Sequence, residues 1–136
     1  MANTQALCTS FKTEILDGIH ALGTTVIRAG TGADTLKAAL YLASATVNAA
    51  TTAYSATGEV SGTNYSAGGI TATNANQPAN SGTTAYWTPS ASFTYTNVTL
   101  TTAFDAVLIY NSTQSNKAIS VHTFGSQTVT AGTFVL

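Results

Sequence analysis

Few side chains in this 136-residue chain can do chemistry: five acids, two histidines, four lysines or arginines and one cysteine. His20 and His122, even joined by Asp17 or Asp105, lack the close ligand spacing of a zinc site. Paired carboxylates for glycoside hydrolysis would have to come from Glu14, Asp17, Asp34, Glu59 and Asp105. Glu14 and Asp17 stand one helical turn apart and read as surface acids. Glu59 and Asp105 read as loop anchors that accept backbone hydrogen bonds. Gly30-Thr-Gly32 opens like a dinucleotide fingerprint but has no third glycine and no strand–turn–helix around it, so it reads as a hinge. Lys12-Thr13 has no glycine upstream to close a phosphate loop. Gly58-Glu-Val-Ser61-Gly62 has the wrong spacing for a nucleophile elbow. Cys8, beside apolar helical positions, reads as a small core hydrophobe. No catalytic, metal-binding or cofactor-binding residue is assigned, and the chain is read as not an enzyme.

Composition points the same way. Charged residues make up 7% of the chain, against about a quarter in ordinary domains. About one residue in five is Thr. Such a surface suits a protein packed against other protein. Lys12, Arg28, Lys37 and Lys117 are too few and scattered to form a nucleic-acid stripe. No apolar run approaches the ~20 residues of a membrane helix, and without a secretory signal cytoplasmic synthesis is expected. The length fits one domain, residues 1–136. Lys, Glu and Pro, which normally guard strand edges, are scarce, so edges and faces are expected to be covered in an assembly.

The elements that must position these residues follow from periodicity. Leu7, Phe11, Ile15, Ile19 and Leu22 recur at helical spacing, with Cys8 and Leu16 widening the stripe. Asn3 or Thr4 can cap the start and Gly23 can stop it. Residues 1–22 are therefore expected to carry one amphipathic helix, as an appendage or docking segment. Beyond Gly23, strands are expected at 36–43, 92–100, 107–110, 117–124 and 128–136. Turns lie at 111–116 and at Gly125-Ser-Gln, and the loop-rich middle adds short strands near Val60, 70–73 and 85–87. The fold class is mainly β: an antiparallel β-sandwich or jelly roll with one short N-terminal amphipathic helix. His122 shares a strand face with Ser120 and Phe124 and reads as a surface or interface residue.

Tyr54, Tyr65, Tyr86 and Trp87 lie in or beside Gly/Thr/Asn loops, a composition typical of recognition surfaces. Folding inward as loop anchors is the equal alternative. The apolar tail Phe134-Val135-Leu136 has to be buried in its own sheet or a neighbour's.

Four strings resemble a family of small proteins of tailed bacteriophages, described as virion structural proteins: residues 39–45, 58–69, 106–111 and 117–125. The Cys8–Lys12 stretch fits the same pattern. The resemblance implies no activity, cofactor or catalytic residue. It implies a virion location, and with the composition it leads to a head decoration (cement) protein on the capsid surface. Its expected partners are the major capsid protein and itself, as a dimer or trimer. Docking candidates are Leu7, Phe11, Ile15, Ile19 and Leu22, or Phe134 and Leu136. The alternative is a tail or head fibre module binding a host glycan or protein through Tyr54, Tyr65, Tyr86 and Trp87.

Overall fold

The computed structural model describes residues 3–16, 18–24 and 32–136. Gly30 of the expected hinge and Asp17 lie outside the described residues. The elements run β1 (Ala6–Leu7), α1 (Thr9–Leu16), β2 (Leu36–Leu42), β3 (Ile70–Thr71), β4 (Ala79–Ser81), β5 (Thr84–Tyr86), β6 (Thr94–Asn111) and β7 (Lys117–Val135). Five form one antiparallel sheet in the order β1-β7-β6-β2-β3, and β4 pairs with β5 in a separate ribbon. The protein is mainly β, with one short helix among the described residues.

The helix is shorter than its hydrophobic period suggests. Gly18, at φ +69°, supplies the left-handed residue that ends it. Its N–H bonds Ile15 O at 3.0 Å while Ile19 N–H reaches Glu14 O at 2.9 Å, the paired closure of a Schellman cap. Gly18, not Gly23, is thus the stop. Leu7 belongs to β1, where it pairs with Ser120, and Ile19 and Leu22 lie past the cap. The N-terminal segment is also built in rather than appended. Cys8 and Phe11 are core residues, and Asn3 bonds the carbonyl of Leu42, the amide of Val47 and the Asp105 carboxylate.

The dominant feature is the β6–β7 hairpin, closed by a polar turn at 112–116, one residue shorter than the expected 111–116 because Asn111 ends β6; Ser115 and Asn116 take positive φ. Sequence punctuation suggests two strands on each side, but the structure keeps each continuous. At the expected Gly125 turn the chain bulges instead: Phe104 pairs with Gln127 and Ala106 with Thr123, so Phe124, Gly125 and Ser126 face a single residue, Asp105. Gln127 Nε2 donates to Gly125 O across this bulge at 3.0 Å. A second bulge carries Ala131 at φ +45°, its N–H held by Thr99 Oγ1. Bulges bend and twist a ladder without ending it.

The bending is large. The Tyr95 hydroxyl donates to Ala38 O at 2.9 Å, and Ala38 pairs with Ile109. On a straight strand residues 95 and 109 would stand roughly 46 Å apart at about 3.3 Å per residue. The hairpin therefore curls back over the sheet. That covers both faces at its centre: Ala38, Ala39, Leu40, Tyr41 and Ala106–Tyr110 are all buried. The buried run expected at Val107–Tyr110 is found. Past Val121, β7 has no strand partner on its outer side among the described residues. The guards missing from its composition are supplied by bulges.

Val60 is in no strand; its N–H donates to Leu40 O beside an isolated Tyr41–Glu59 bridge. This segment and β3 seal the other side of β2. Gly69 makes the fit possible, because a Cβ built there would meet Ala38 O at 1.7 Å and its φ is +70°. Gly69→Ala is expected to cost about 2–4 kcal/mol in denaturant unfolding, from left-handed strain plus a backbone clash. A loss below 1 kcal/mol would show that this contact relaxes freely.

Candidate functional site

Three arrangements bring chemically capable side chains together. The first gathers beneath the 112–116 turn, where α1, the segment after it and the hairpin meet. Glu14 accepts from Lys117 Nζ at 2.6 Å and contacts His20 Nε2 at 2.8 Å. The His20 side chain is wholly buried, edge-on to Phe11. Its Nδ1 faces Asn111 Nδ2 at 2.9 Å, and Asn111 Nδ2 also reaches Asp34 Oδ2 at 2.8 Å. Asn111 Oδ1 accepts from the amides of Thr113 and Gln114, which fixes the orientation of its amide. Nδ2 must then donate to both neighbours. His20 is consequently neutral, accepting at Nδ1 and donating through Nε2–H to Glu14. Asp34 is filled as well, by Ala21 N, Asn111 and Gln114 Nε2. Both imidazole nitrogens and both carboxylates are occupied, so the cluster clamps the turn and offers no free base.

Burial pushes the Glu14 carboxyl up, but hydrogen bonds from Lys117 and His20 and the Lys117 charge outweigh it and hold it below the usual range. Burial alone pushes His122 down. Both groups bind protons more readily in the unfolded chain, so each stabilises the fold above its ordinary pKa. That stability disappears as pH falls through the folded value. Melting temperature is therefore expected to drop on acidification, first through the histidine range and then below about pH 4.5. Glu14→Gln should flatten the lower limb in melts between pH 7.5 and 3.5. A wild-type midpoint constant across that range would contradict this assignment.

The second arrangement surrounds Glu59. Its carboxylate accepts from the hydroxyls of Tyr54 (2.6 Å) and Tyr65 (2.8 Å) and from Gly68 N–H (2.8 Å). Tyr54 stacks on Tyr110, Tyr65 on Tyr95, and the Tyr110 hydroxyl donates to Gly68 O. Burial pushes Tyr41 up to about 12, and burial with the nearby Glu59 charge raises Tyr54, Tyr65, Tyr95 and Tyr110. Glu59 anchors its loop, as expected, through side-chain hydroxyls as well as backbone.

The third is an apolar groove of about 620 Å³ between the β6–β7 hairpin and the 87–93 segment. Val107 and Ile109 of β6 and Ile119, His122 and Phe124 of β7 form its floor. Trp87, Phe93 and Leu136 wall it. Ser120 Oγ and His122 Nε2 lie 3.0 Å apart at its side. A hydroxyl nucleophile would also need a group orienting the imidazole. Among the described residues, no carboxylate bonds the other ring nitrogen of His122. Cys8 is buried, with its thiol pushed up to about 11 by burial and then by Glu14. That leaves it protonated and unreactive. Among the described residues no three metal-ligating groups converge, and no helix is long and apolar enough to cross a membrane.

The residues singled out from sequence separate clearly. Phe11 is in the core, Ile19 and Leu22 are half-buried, and Phe134 packs against Phe104, Phe124 and Tyr95. Leu136 pairs through its backbone with Phe93 and walls the groove. Tyr54 and Tyr65 turn inward to Glu59. Trp87 donates Nε1–H to Asn76 O and lines the groove, whereas Tyr86 is 48% exposed. Leu7 (44%) and Ile15 (48%) face solvent, and Val135 joins them. Leu7, Trp87 and Leu136 are brought to one region, since Leu7 pairs with groove-lining Ser120. The Asn111–His20–Asp34 cluster carries no motif; only the polar turn beside it marks its place. Comparison with protein-family models, curated proteins and solved structures yields no match.

Proposed function

We propose that this chain is a non-enzymatic virion structural protein of a tailed bacteriophage, and specifically a decoration protein of the capsid surface. One observation carries the binding reading. The acids Glu14, Asp34 and Glu59 are committed inside the fold, while Leu7, Ile15, Tyr86 and Val135 protrude from a nearly uncharged surface. Apolar residues on such a surface suit contact with protein. The phage assignment rests on the resemblance of the strings at 39–45, 58–69, 106–111 and 117–125. In this reading the curled hairpin serves as the β-sandwich or jelly-roll body. Leu7 and Ile15 dock on the major capsid protein, and stabilisation follows from affinity for the assembled shell alone.

Deleting residues 1–22 would remove Cys8, Phe11 and Glu14 from the core, so point substitutions are the right probe. Purified protein should saturate shells that lack it, and the Leu7→Glu, Ile15→Glu double variant should not. Saturation by the double variant would move the docking face elsewhere. Failure of the wild type to bind would remove the decoration role. The exposed Tyr86 beside Trp87 favours one alternative, a fibre module that binds a host glycan or surface protein. In that case Tyr86→Ala with Trp87→Ala should impair adsorption and leave particle stability unchanged.

A further inference from the structure

The ribbon β4–β5 and the groove beside it pose one problem each. The ribbon pairs only Ala79 with Tyr86, Asn80 with Ala85 and Ser81 with Thr84. Thr84, Ala85 and Tyr86 are all exposed, and a Cβ at Gly82 in its turn would meet nothing within 4 Å. Hydrogen bonds at its base fix where it leaves the body: Trp87 Nε1 to Asn76 O, Asn76 Nδ2 to Thr88 O, and Ser90 N to Thr73 O. A two-stranded ribbon whose described side chains are all exposed is marginal in water. It needs a surface. The groove, in turn, presents Trp87, Phe93, Ile109, Phe124 and Leu136 around an open volume of about 620 Å³.

We propose that the β4–β5 ribbon is an arm that docks in the groove of a second copy of this chain. This deepens the reading above by naming the surface through which the protein self-associates. Charge selects the occupant. No Asp, Glu, Lys, Arg or His occurs from Val60 to Phe104, a stretch that includes the whole ribbon and the groove wall at 87–93. The groove lining adds no acid and no lysine or arginine, only the exposed imidazole of His122. A charged segment would lose its hydration there with nothing to pair against. An uncharged ribbon loses only the weaker hydration of its hydroxyl and amide groups. Tyr86 fits the site in both halves of its side chain: the ring matches the apolar floor, and Ser120 and His122 offer its hydroxyl a partner.

Proximity makes the exchange reciprocal. Tyr86 adjoins Trp87, which walls the groove, so arm and groove are neighbours on one surface. A two-fold axis near Trp87 would bring each arm to the other copy's groove, giving a closed, isologous pair.

The test is the association state of the purified full chain by sedimentation equilibrium. Wild type should self-associate reversibly. Tyr86→Ser in the arm and Ser120→Trp across the groove should each weaken association about tenfold or more. Far-UV circular dichroism and melting should not change, because both positions lie outside the core. Thr84→Lys, a charge on the exposed ribbon, should act likewise and cannot disturb packing. Mixing Tyr86→Ser with Ser120→Trp should restore part of the association, since one arm and one groove remain intact. A wild type monomeric at all concentrations overturns the proposal. So does association that none of the three variants weakens. Neither result touches shell binding through Leu7 and Ile15, so failure here is separable from failure of the decoration role.

Discussion

Asn111→Asp should cost about 3–5 kcal/mol at neutral pH, the scale of a buried charge left uncompensated. The new carboxylate would keep the acceptor that holds Thr113 and Gln114 N–H. Its second oxygen, however, would stand where Nδ2 now donates to Asp34 at 2.8 Å and His20 at 2.9 Å. Two carboxylates at that separation cannot both ionise, so lowering the pH toward 5 should recover part of the loss as the pair shares a proton. Wild type moves the opposite way on acidification to pH 5, because His122 binds protons more readily in the unfolded chain. The opposed pH slopes are the signature to seek in denaturant unfolding at pH 7.5 and 5. A loss under 1 kcal/mol, or parallel slopes, would mean that the turn cluster is looser than its bonds imply.

Glu59→Ala is expected to be nearly as damaging. It leaves two tyrosine hydroxyls and the Gly68 amide without an acceptor, at about 1–3 kcal/mol for each buried donor. Glu59 is only half-buried, so water relieves part of this and a total of about 3 kcal/mol is expected. Glu59→Gln keeps one acceptor oxygen and should recover roughly half. Removing the charge should also let Tyr54 and Tyr65 ionise at lower pH, visible as an earlier rise in tyrosinate absorbance. Unchanged tyrosine titration would show that burial alone raises these phenols.

How far the fold was legible depends on how local its causes are. Strand β2, the buried run at 107–110 and the polar turn at 112–116 follow from alternation, continuous apolar residues and turn chemistry. The helix end does not. A hydrophobic period runs on past Ile15, and only the cap geometry at Gly18 shows that the chain leaves the helix before Ile19. The bulges at Gly125 and Ala131 were equally hidden. A glycine among polar residues signals a turn, and whether pairing continues through it depends on the partner strand, Phe104 and Asp105 in this case.

Site residues divide by the same rule. Glu59 was readable as a loop anchor because it follows Gly58, but its tyrosine partners come from positions on either side of it in the folded loop. Tyr54 and Tyr65 carry the same local composition as Tyr86, so nothing in the strings could show that two of them turn inward. His20 and Asn111 lie 91 positions apart, and no spacing rule spans that interval. The groove likewise needs Trp87, Ile109 and Leu136 from three distant stretches.

The most direct measurement is the copy number of this chain per particle, by quantitative mass spectrometry of purified virions against the major capsid protein. A decoration protein should be present in hundreds of copies in fixed ratio to the shell subunit. A dozen or a few dozen copies would place it in a portal, tail or fibre and contradict the decoration role, and absence from purified particles would contradict the virion reading altogether.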